Sequence, residues 1–144
     1  EILDGCRALR RHFGLSGISF AAYDIEVASS GLFAATFDMA LLVEFIGKGI
    51  VTSGKTDAVL TSLARLSDKE LIVSAQKTYW INKELGTSPQ ALARLYPERY
   101  LRDGAFHLLE YVRDFFAPGW TMRLLSDVSP GYEKPRKFLQ FIKA

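Results

Sequence analysis

The sharpest pattern in this 144-residue sequence is an octet with the spacing of a phosphate-binding loop. Residues 49–56 read Gly-Ile-Val-Thr-Ser-Gly-Lys-Thr, which satisfies G-x-x-x-x-G-K-[ST] at every fixed position. In such a loop the backbone N–H groups wrap the phosphates, while the lysine and the helix N-terminus supply positive charge. If the octet works in this way, Gly49, Gly54, Lys55 and Thr56 bind ATP or GTP with Mg²⁺.

A phosphate loop also needs a strand that leads into its first glycine and a helix that begins at its lysine. Apolar residues at helical spacing predict the helix, over positions 57–66. Before the octet, however, positions 39–46 also have helical spacing, with Asp38 as a plausible N-cap. We therefore interpret the octet as the end of one helix and the start of the next. Nucleotide binding is kept as an alternative.

The remaining elements are predicted from periodicity, caps and turn residues. Further helices are expected at 2–13, from Ser67 and its capping-box partner Glu70 to Gly86, from Thr87 onward, and at about 103–117. Short β-prone runs flank turn-rich residues twice, which predicts hairpins at about 17–37 and 120–143.

These elements predict an α+β fold. Two hairpins on either side of a helical insert can join into one antiparallel sheet, with the insert packed on one face. The length favours a single domain over residues 1–144. Because the sequence begins at Glu1 without a methionine, we also expect a fragment of a longer protein.

Residues 78–96 provide a third hypothesis. Two predicted helices meet at Gly86-Thr87-Ser88-Pro89, and this stretch resembles the helix-turn-helix of TetR-type repressors. The resemblance implies that Gln90 and Arg94 face base edges. A helical hairpin for protein interaction is the structural alternative.

Aromatic residues are dense in the second half of the chain. Tyr and Trp combine an apolar body with a polar group, so a helix-covered sheet lined with them suits a small-molecule pocket. The predicted ligand-binding residues are Tyr79, Trp80, Tyr100, Tyr111, Phe115 and Trp120.

Composition narrows the function classes. The 18 basic and 16 acidic residues are interleaved and give a net charge of +2, which implies no polyanionic partner. The single cysteine excludes an internal disulfide and fits a cytoplasmic location. No apolar run approaches the roughly 20 residues that span a bilayer, so no membrane partner is expected. His12 and His107 lack the spacing of a triad or metal site, so we predict no catalytic residues and no metal.

The order of the elements resembles the GAF/PAS-like sensor domains of LuxR-type transcription regulators. The resemblance lies in a leading helix at 9–15, a strand at 17–24, and a second strand that ends at Phe37-Asp38 before a helix closing on Gly47-Lys48-Gly49. It implies a regulatory domain that senses a small molecule between sheet and helices, without a cofactor. A homodimer is one possible assembly, and contact with nucleic acid is expected only through an output domain outside this chain.

Overall fold

The computed structural model describes residues 2–18, 25, 36–128 and 136–144. The helices are α1 (Ile2–His12), α2 (Lys48–Thr52), α3 (Thr56–Leu66), α4 (Pro89–Ala93) and α5 (Leu108–Phe116). The strands are β1 (Phe37–Leu42), β2 (Ser67–Gln76), β3 (Tyr79–Trp80), β4 (Leu101–Arg102), β5 (Ala105–Phe106), β6 (Trp120–Val128) and β7 (Arg136–Lys143). A π-helical turn (Ile81–Leu85) and a 3₁₀ turn (Glu98–Tyr100) complete the described elements.

The main sheet is mixed, with strand order β1-β2-β7-β6. β1 and β2 are parallel, and α2 and α3 form the connection between them. β7 lies antiparallel to both β2 and β6. The described sheet thus joins one parallel helical crossover to one antiparallel hairpin.

One face of this sheet carries the core. Helix α3 packs on β1 and β2, while α5 packs on β2 and β6. Alternation along β2 directs Leu71 and Val73 toward these helices, and Phe141 of β7 meets Phe116 of α5 with ring centroids 4.6 Å apart. All four side chains are almost completely buried, so this layer of helices supplies most of the apolar burial.

A second, small sheet has the order β3-β5-β4. The β4–β5 hairpin turns at Asp103 and Gly104, whose φ angles of 54° and 70° are both left-handed. Two such residues in succession are what a type I′ hairpin turn requires, and Asp-Gly is a preferred pair for it.

Several predicted elements are confirmed. The helices at 2–13 and 57–66 and the hairpin at 120–143 are present as α1, α3 and β6–β7. The predicted helix at 103–117 is shorter, because β5 occupies its first turn. The predicted hairpin at 17–37 lies outside the described residues, except for the start of β1. At the coarse level of a mixed α and β fold, the expected class is correct.

Two predicted helices are wrong, and they change the sheet. Positions 39–46 contain most of β1, and the segment from Ser67 to Gly86 begins with the ten-residue strand β2. In both segments, apolar residues that fit a 3.6-residue period also fit a two-residue period, and pairing between the strands decided the outcome. The sheet is therefore not purely antiparallel.

Tyrosine hydroxyls connect the helical layer to the rest of the core. Tyr96 donates to the carbonyl oxygen of Val51 and lies 2.8 Å from the hydroxyl of Thr56. Tyr111 donates to the carboxylate of Asp57. Burial and the negative charge of Asp57 both raise the pKa of Tyr111 well above its ordinary value.

None of the helices in the described part of the chain combines the length and apolarity that a bilayer crossing requires.

The raised tyrosine pKa values predict a loss of stability in alkali. Burial also raises the pKa of Tyr96, so the unfolded chain releases these protons at lower pH than the folded chain does. The contribution is fully present below about pH 10 and falls above it, by up to about 1.4 kcal/mol per pH unit for one tyrosine. Urea unfolding at a series of pH values measures this slope. Tyr111→Phe should reduce it by about one proton, and an unchanged slope would show that Tyr111 is not responsible.

Candidate functional site

The parallel pair β1 and β2 places two strand ends at one edge of the main sheet. In open α/β sheets, ligands bind outside the carboxyl ends of the strands, where the connections leave the sheet. Here β1 leads into Val43–Ile46, and β2 leads through Lys77 and Thr78 into β3. We call this region the carboxyl edge, and it is the candidate functional site.

The turn after β1 contains an unusual backbone conformation. Glu44 has φ 57°, in the left-handed region that costs most residues about 1–2 kcal/mol. Its side chain is exposed, and the residues on either side of it in the sequence, Val43 and Phe45, have half-exposed side chains. Strained residues of this kind concentrate at binding and catalytic sites, so the conformation of Glu44 makes this turn a candidate for function.

Two hydroxyl groups, one from β2 and one from β3, hold this turn in place. The N–H of Glu44 donates to Oγ of Ser74 at 2.7 Å, and Ser74 is 1% exposed. The hydroxyl of Tyr79 donates to the carbonyl oxygen of Ile46, two residues after Glu44, at 3.2 Å. The N–H of Glu44 and the carbonyl oxygen of Ile46 therefore both have hydrogen-bond partners inside the protein, and these bonds offset the strain at Glu44.

A π-helical turn lies beside this edge. Such turns are rare and are frequently found at functional sites. The carboxylate of Glu84 accepts from the backbone N–H of Trp80 at 2.6 Å and from Nε2 of Gln76, the last residue of β2, at 3.5 Å. This contact fixes the π turn to the carboxyl end of β2.

An apolar stripe runs along β1 into the carboxyl edge. Its side chains alternate along the strand and are 43–58% exposed: Phe37, Met39, Leu41, Val43 and Phe45. In the described part of the chain, β1 pairs with β2 alone. The edge therefore combines an apolar surface with the carboxylate of Glu44.

The octet at 49–56 is not a phosphate loop. It follows the strand β1, but its first four residues belong to α2. Helical or turn hydrogen bonds engage the backbone N–H groups that would wrap a phosphate. The donors are Val51, Ser53, Gly54 and Lys55, which bond to the carbonyl oxygens of Gly47, Gly49, Val51 and Ile50 at 3.1–3.2 Å. They form helical turns instead of converging on one point.

The four residues that the phosphate-loop pattern specifies have structural roles in this fold. Gly54 ends α2 with φ +71°, and a Cβ there would lie 2.9 Å from Leu95. Thr56 is fully buried, with its hydroxyl on Tyr96 and not in reach of a metal ion in solvent. Gly49 lies within α2, and Lys55 precedes the first turn of α3. The backbone therefore corrects the alternative hypothesis in which Gly49, Gly54, Lys55 and Thr56 bind nucleotide phosphates.

The helix-turn-helix hypothesis fails on helix length. Residues 78–96 form β3, the π turn and α4, which has only five residues. Ser88 caps α4 by accepting from the N–H of Ala91, with Pro89 in the first turn, so the predicted start is correct to within one residue. Gln90 and Arg94 are exposed, but α4 is too short to carry a recognition face along a groove.

The six predicted ligand-binding aromatics do not form one pocket wall. Tyr79, Tyr100 and Tyr111 are buried in the core, where the rings of Tyr100 and Tyr111 meet edge to face at 5.1 Å. Phe115 and Trp120 are partly buried around Phe116. Trp80 alone among the six is largely exposed, at 46%. Ligand contact by these residues stays a prediction.

Other polar groups lie away from the carboxyl edge. Arg102 forms two hydrogen bonds to Glu110, at 2.6 and 2.7 Å, and holds the pKa of that carboxyl below its ordinary value. His107 lies beside this pair, with Nδ1 3.5 Å from the Glu110 carboxylate. Across the described residues, no three His, Cys, Asp or Glu side chains converge as metal ligands.

Sequence reasoning missed Glu44, Ser74 and the π turn. The alternation of apolar residues from Phe37 to Phe45 was readable as a two-residue period, and it would have revealed β1. No local pattern distinguishes Glu44 from any other exposed acid, because its conformation depends on contacts with Ser74.

The fold is shared with two crystal structures of the magnesium protoporphyrin IX methyltransferase ChlM from Synechocystis PCC 6803. The structure with bound SAM is 15% identical, with a TM-score of 0.58 over 99% of this chain and 54% of that chain. The structure with bound SAH is 14% identical, with a TM-score of 0.58 over 99% and 59%. This chain therefore spans little more than half the length of these proteins, and the likeness is one of fold.

Comparisons of sequence alone add nothing to this result. No protein-family model matches the chain, and no curated protein matches it.

These comparisons correct the functional hypotheses. The chain shares its fold with two structures of the methyltransferase ChlM, which contradicts the predicted GAF/PAS-like sensor domain and its sensing and transcription-regulatory function. The nucleotide-binding and DNA-binding alternatives also lack support. The expectations of no cofactor, or of ATP or GTP with Mg²⁺, conflict with neighbours that hold SAM and SAH.

The backbone conformation of Glu44 generates a stability prediction. Asn tolerates the left-handed region better than Glu, so Glu44→Asn should raise the free energy of unfolding by about 0.5 kcal/mol. Glu44→Gln has no such preference and is the matched control. Ser74→Ala should lower the free energy of unfolding by about 1 kcal/mol, since it removes the acceptor for the Glu44 N–H. Urea unfolding measures all three, and equal stability of the Asn and Gln variants would contradict the argument.

Proposed function

We propose that this chain is part of a SAM-dependent methyltransferase and that its carboxyl edge contacts SAM. The observation that supports this most directly is the fold shared over 99% of the chain with two structures that hold SAM and SAH. The strained turn at Glu44 lies where open α/β sheets bind ligands, which is independent support.

The residues at this edge fit parts of SAM. The faces of its adenine ring are flat and aromatic, and Val43 and Phe45 offer exposed apolar surface, at 45% and 43%. Its sulfonium is a cation, and Glu44, which stands between these two residues in the sequence, has an exposed side chain that ends in a carboxylate. An exposed apolar surface in the same turn as a carboxylate therefore complements an adenosyl sulfonium.

SAM, when bound, supplies an electrophilic methyl group on a positively charged sulfur. The chain's own residues would bind and orient it. Val43 and Phe45 would cover apolar surface, while Glu44 would attract the positive charge. Ser74 and Tyr79 act indirectly, because they hold the backbone of the turn in place.

The proposal predicts selective stabilisation by SAH. The test uses the full natural polypeptide that carries this sequence, and it follows the thermal midpoint with SAH and, separately, with ATP and Mg²⁺. SAH at about 100 times its Kd should raise the free energy of unfolding by about 2.7 kcal/mol, whereas ATP should leave it unchanged. Absence of an SAH effect at millimolar concentration, or an equal effect of ATP, would overturn the proposal.

The role of Glu44 predicts a difference between SAM and SAH. A carboxylate about 4 Å from a positive charge in a well-hydrated site contributes about 1 kcal/mol, or about fivefold in Kd. Glu44→Gln should therefore weaken binding of cationic SAM about fivefold and of uncharged-sulfur SAH by less than about twofold.

The matched control is Glu98→Gln, which removes an exposed carboxylate from the 3₁₀ turn. Isothermal titration calorimetry gives the Kd for SAM and the Kd for SAH with each variant. An equal loss for SAM and SAH would show that Glu44 does not act through the sulfonium charge.

A further inference from the structure

The outer side of β1 is an exposed edge of the main sheet. In the described part of the chain β1 pairs with β2 alone, so its other side offers unpaired N–H and C=O groups. From Met39 to Leu42 the strand pairs without a bulge and contains neither a proline nor a charged residue. Proteins normally protect an edge strand with one of these features, because an unprotected edge can pair with any other strand. β1 therefore has the character of an internal strand.

The opposite edge of the same sheet is protected in this way. β6 contains the charged residues Arg123 and Asp127, and its pairing with β7 is irregular between Leu124 and Ser126. Such an irregularity bends the strand and interrupts its row of unpaired backbone groups. The two edges thus differ, because β6 is built to end the sheet and the Met39–Leu42 part of β1 is not.

One face of β1 is exposed as well as its edge. Alternation along the strand directs Ala40 and Leu42 into the core on the side of α3. Met39 and Leu41 point to the other face, where they are 51% and 58% exposed. This apolar surface continues onto β2, since Leu41 pairs with Ile72. We call Met39, Leu41 and Ile72 the open face.

The likeness to ChlM indicates what covers this edge and face. The shared fold takes up 99% of this chain but only 54% and 59% of the two ChlM chains, so a large part of each ChlM chain lies outside it. A part of that size is long enough to supply both a strand and a helix. A second copy of this chain fits less well, because pairing between two β1 edges would extend the sheet without bringing a helix over the open face.

The direction of the added strand follows from the open face. An antiparallel strand can be joined by a short hairpin, which brings no helix with it, whereas a parallel strand needs a crossover that is usually helical. Sheets with parallel strands normally carry helices on both faces, and α3 already occupies one face of β1. A crossover helix on the other face would cover Met39, Leu41 and Ile72.

We propose that the outer edge and the open face of β1 form an internal interface of a longer polypeptide. A parallel strand from outside these 144 residues pairs with β1, and the helix connected to it packs on the open face. Val43 and Phe45 follow β1 at the carboxyl edge, so this interface leaves the turn that contains Glu44 accessible. The inference concerns how the sheet is completed, and it holds whether or not the protein binds SAM.

Cysteine labelling of the full natural polypeptide that carries this sequence tests the interface. Leu41→Cys is introduced together with Cys6→Ser, and its rate of reaction with a maleimide is followed by peptide mass spectrometry, relative to the rate in urea. The matched control is Leu95→Cys, at a position that is 44% exposed and outside the open face. We expect position 41 to react at least about tenfold more slowly than position 95, because a side chain under a helix reacts only when the protein opens locally.

A charged substitution gives an independent readout. Leu41→Lys should lower the thermal midpoint of the full polypeptide by about 5 °C or more, since it places a charge in an apolar interface. Leu95→Lys, on an exposed surface, should lower it by less than about 2 °C. If Leu41→Lys does not fold, the labelling rate of Leu41→Cys still decides the question.

Two results would overturn the inference. A labelling rate at position 41 within tenfold of the control would show that the open face stays exposed in the full polypeptide. Protection that disappears on dilution would assign the contact to a second copy of the protein. SAH binding by the unmodified polypeptide is measured in parallel: protection without SAH binding removes only the methyltransferase proposal, and SAH binding without protection removes only this inference.

Discussion

Parallel pairing of β1 with β2 is the constraint on which the rest of the structure depends. Two adjacent parallel strands cannot be joined by a short turn, so the chain must cross over through α2 and α3. This crossover covers one face of the sheet and brings both carboxyl ends to the same edge. The antiparallel β7 then adds to β2 from the other side, which gives the mixed order of strands.

The crossover has a consequence for the turn after β1. The chain must leave the sheet within a few residues, and it does so through the left-handed conformation of Glu44. Ser74 lies near the end of β2 and Tyr79 begins β3, and their hydroxyls bond to the backbone of this turn. The pairing that creates the turn thus also supplies the groups that stabilise it. Strain in one residue can be retained because contacts from the neighbouring strand offset it.

Local signals in the sequence were sufficient for some elements and not for others. The helix α3 and the hairpin β6–β7 could be predicted, since each depends on contacts between residues near in sequence. β1 and β2 could not, because residues at 39–46 and 67–76 suit either period and only their mutual pairing selects the strand. The octet at 49–56 shows the same ambiguity. Its residues match the phosphate-loop pattern, but its N–H groups form helical and turn hydrogen bonds in and after α2. For the candidate site, the alternation of apolar residues from Phe37 to Phe45 can be read from the sequence, but the conformation of Glu44 cannot.

The fold limits where a ligand binds but does not determine which ligand it is. Unrelated chemistries share α/β sheets, so a likeness at 15% identity supports a location at the carboxyl edge more strongly than it supports a substrate. Specificity must come from side chains that the fold leaves free to vary. At this edge those are the exposed Glu44 and Phe45, and beyond the π turn Trp80 and Lys83. Glu44 at the carboxyl edge carries a carboxylate, and Lys83 in the π turn carries an ammonium group. The fold therefore places side chains of opposite charge on neighbouring exposed segments, where each can vary without disturbing the core.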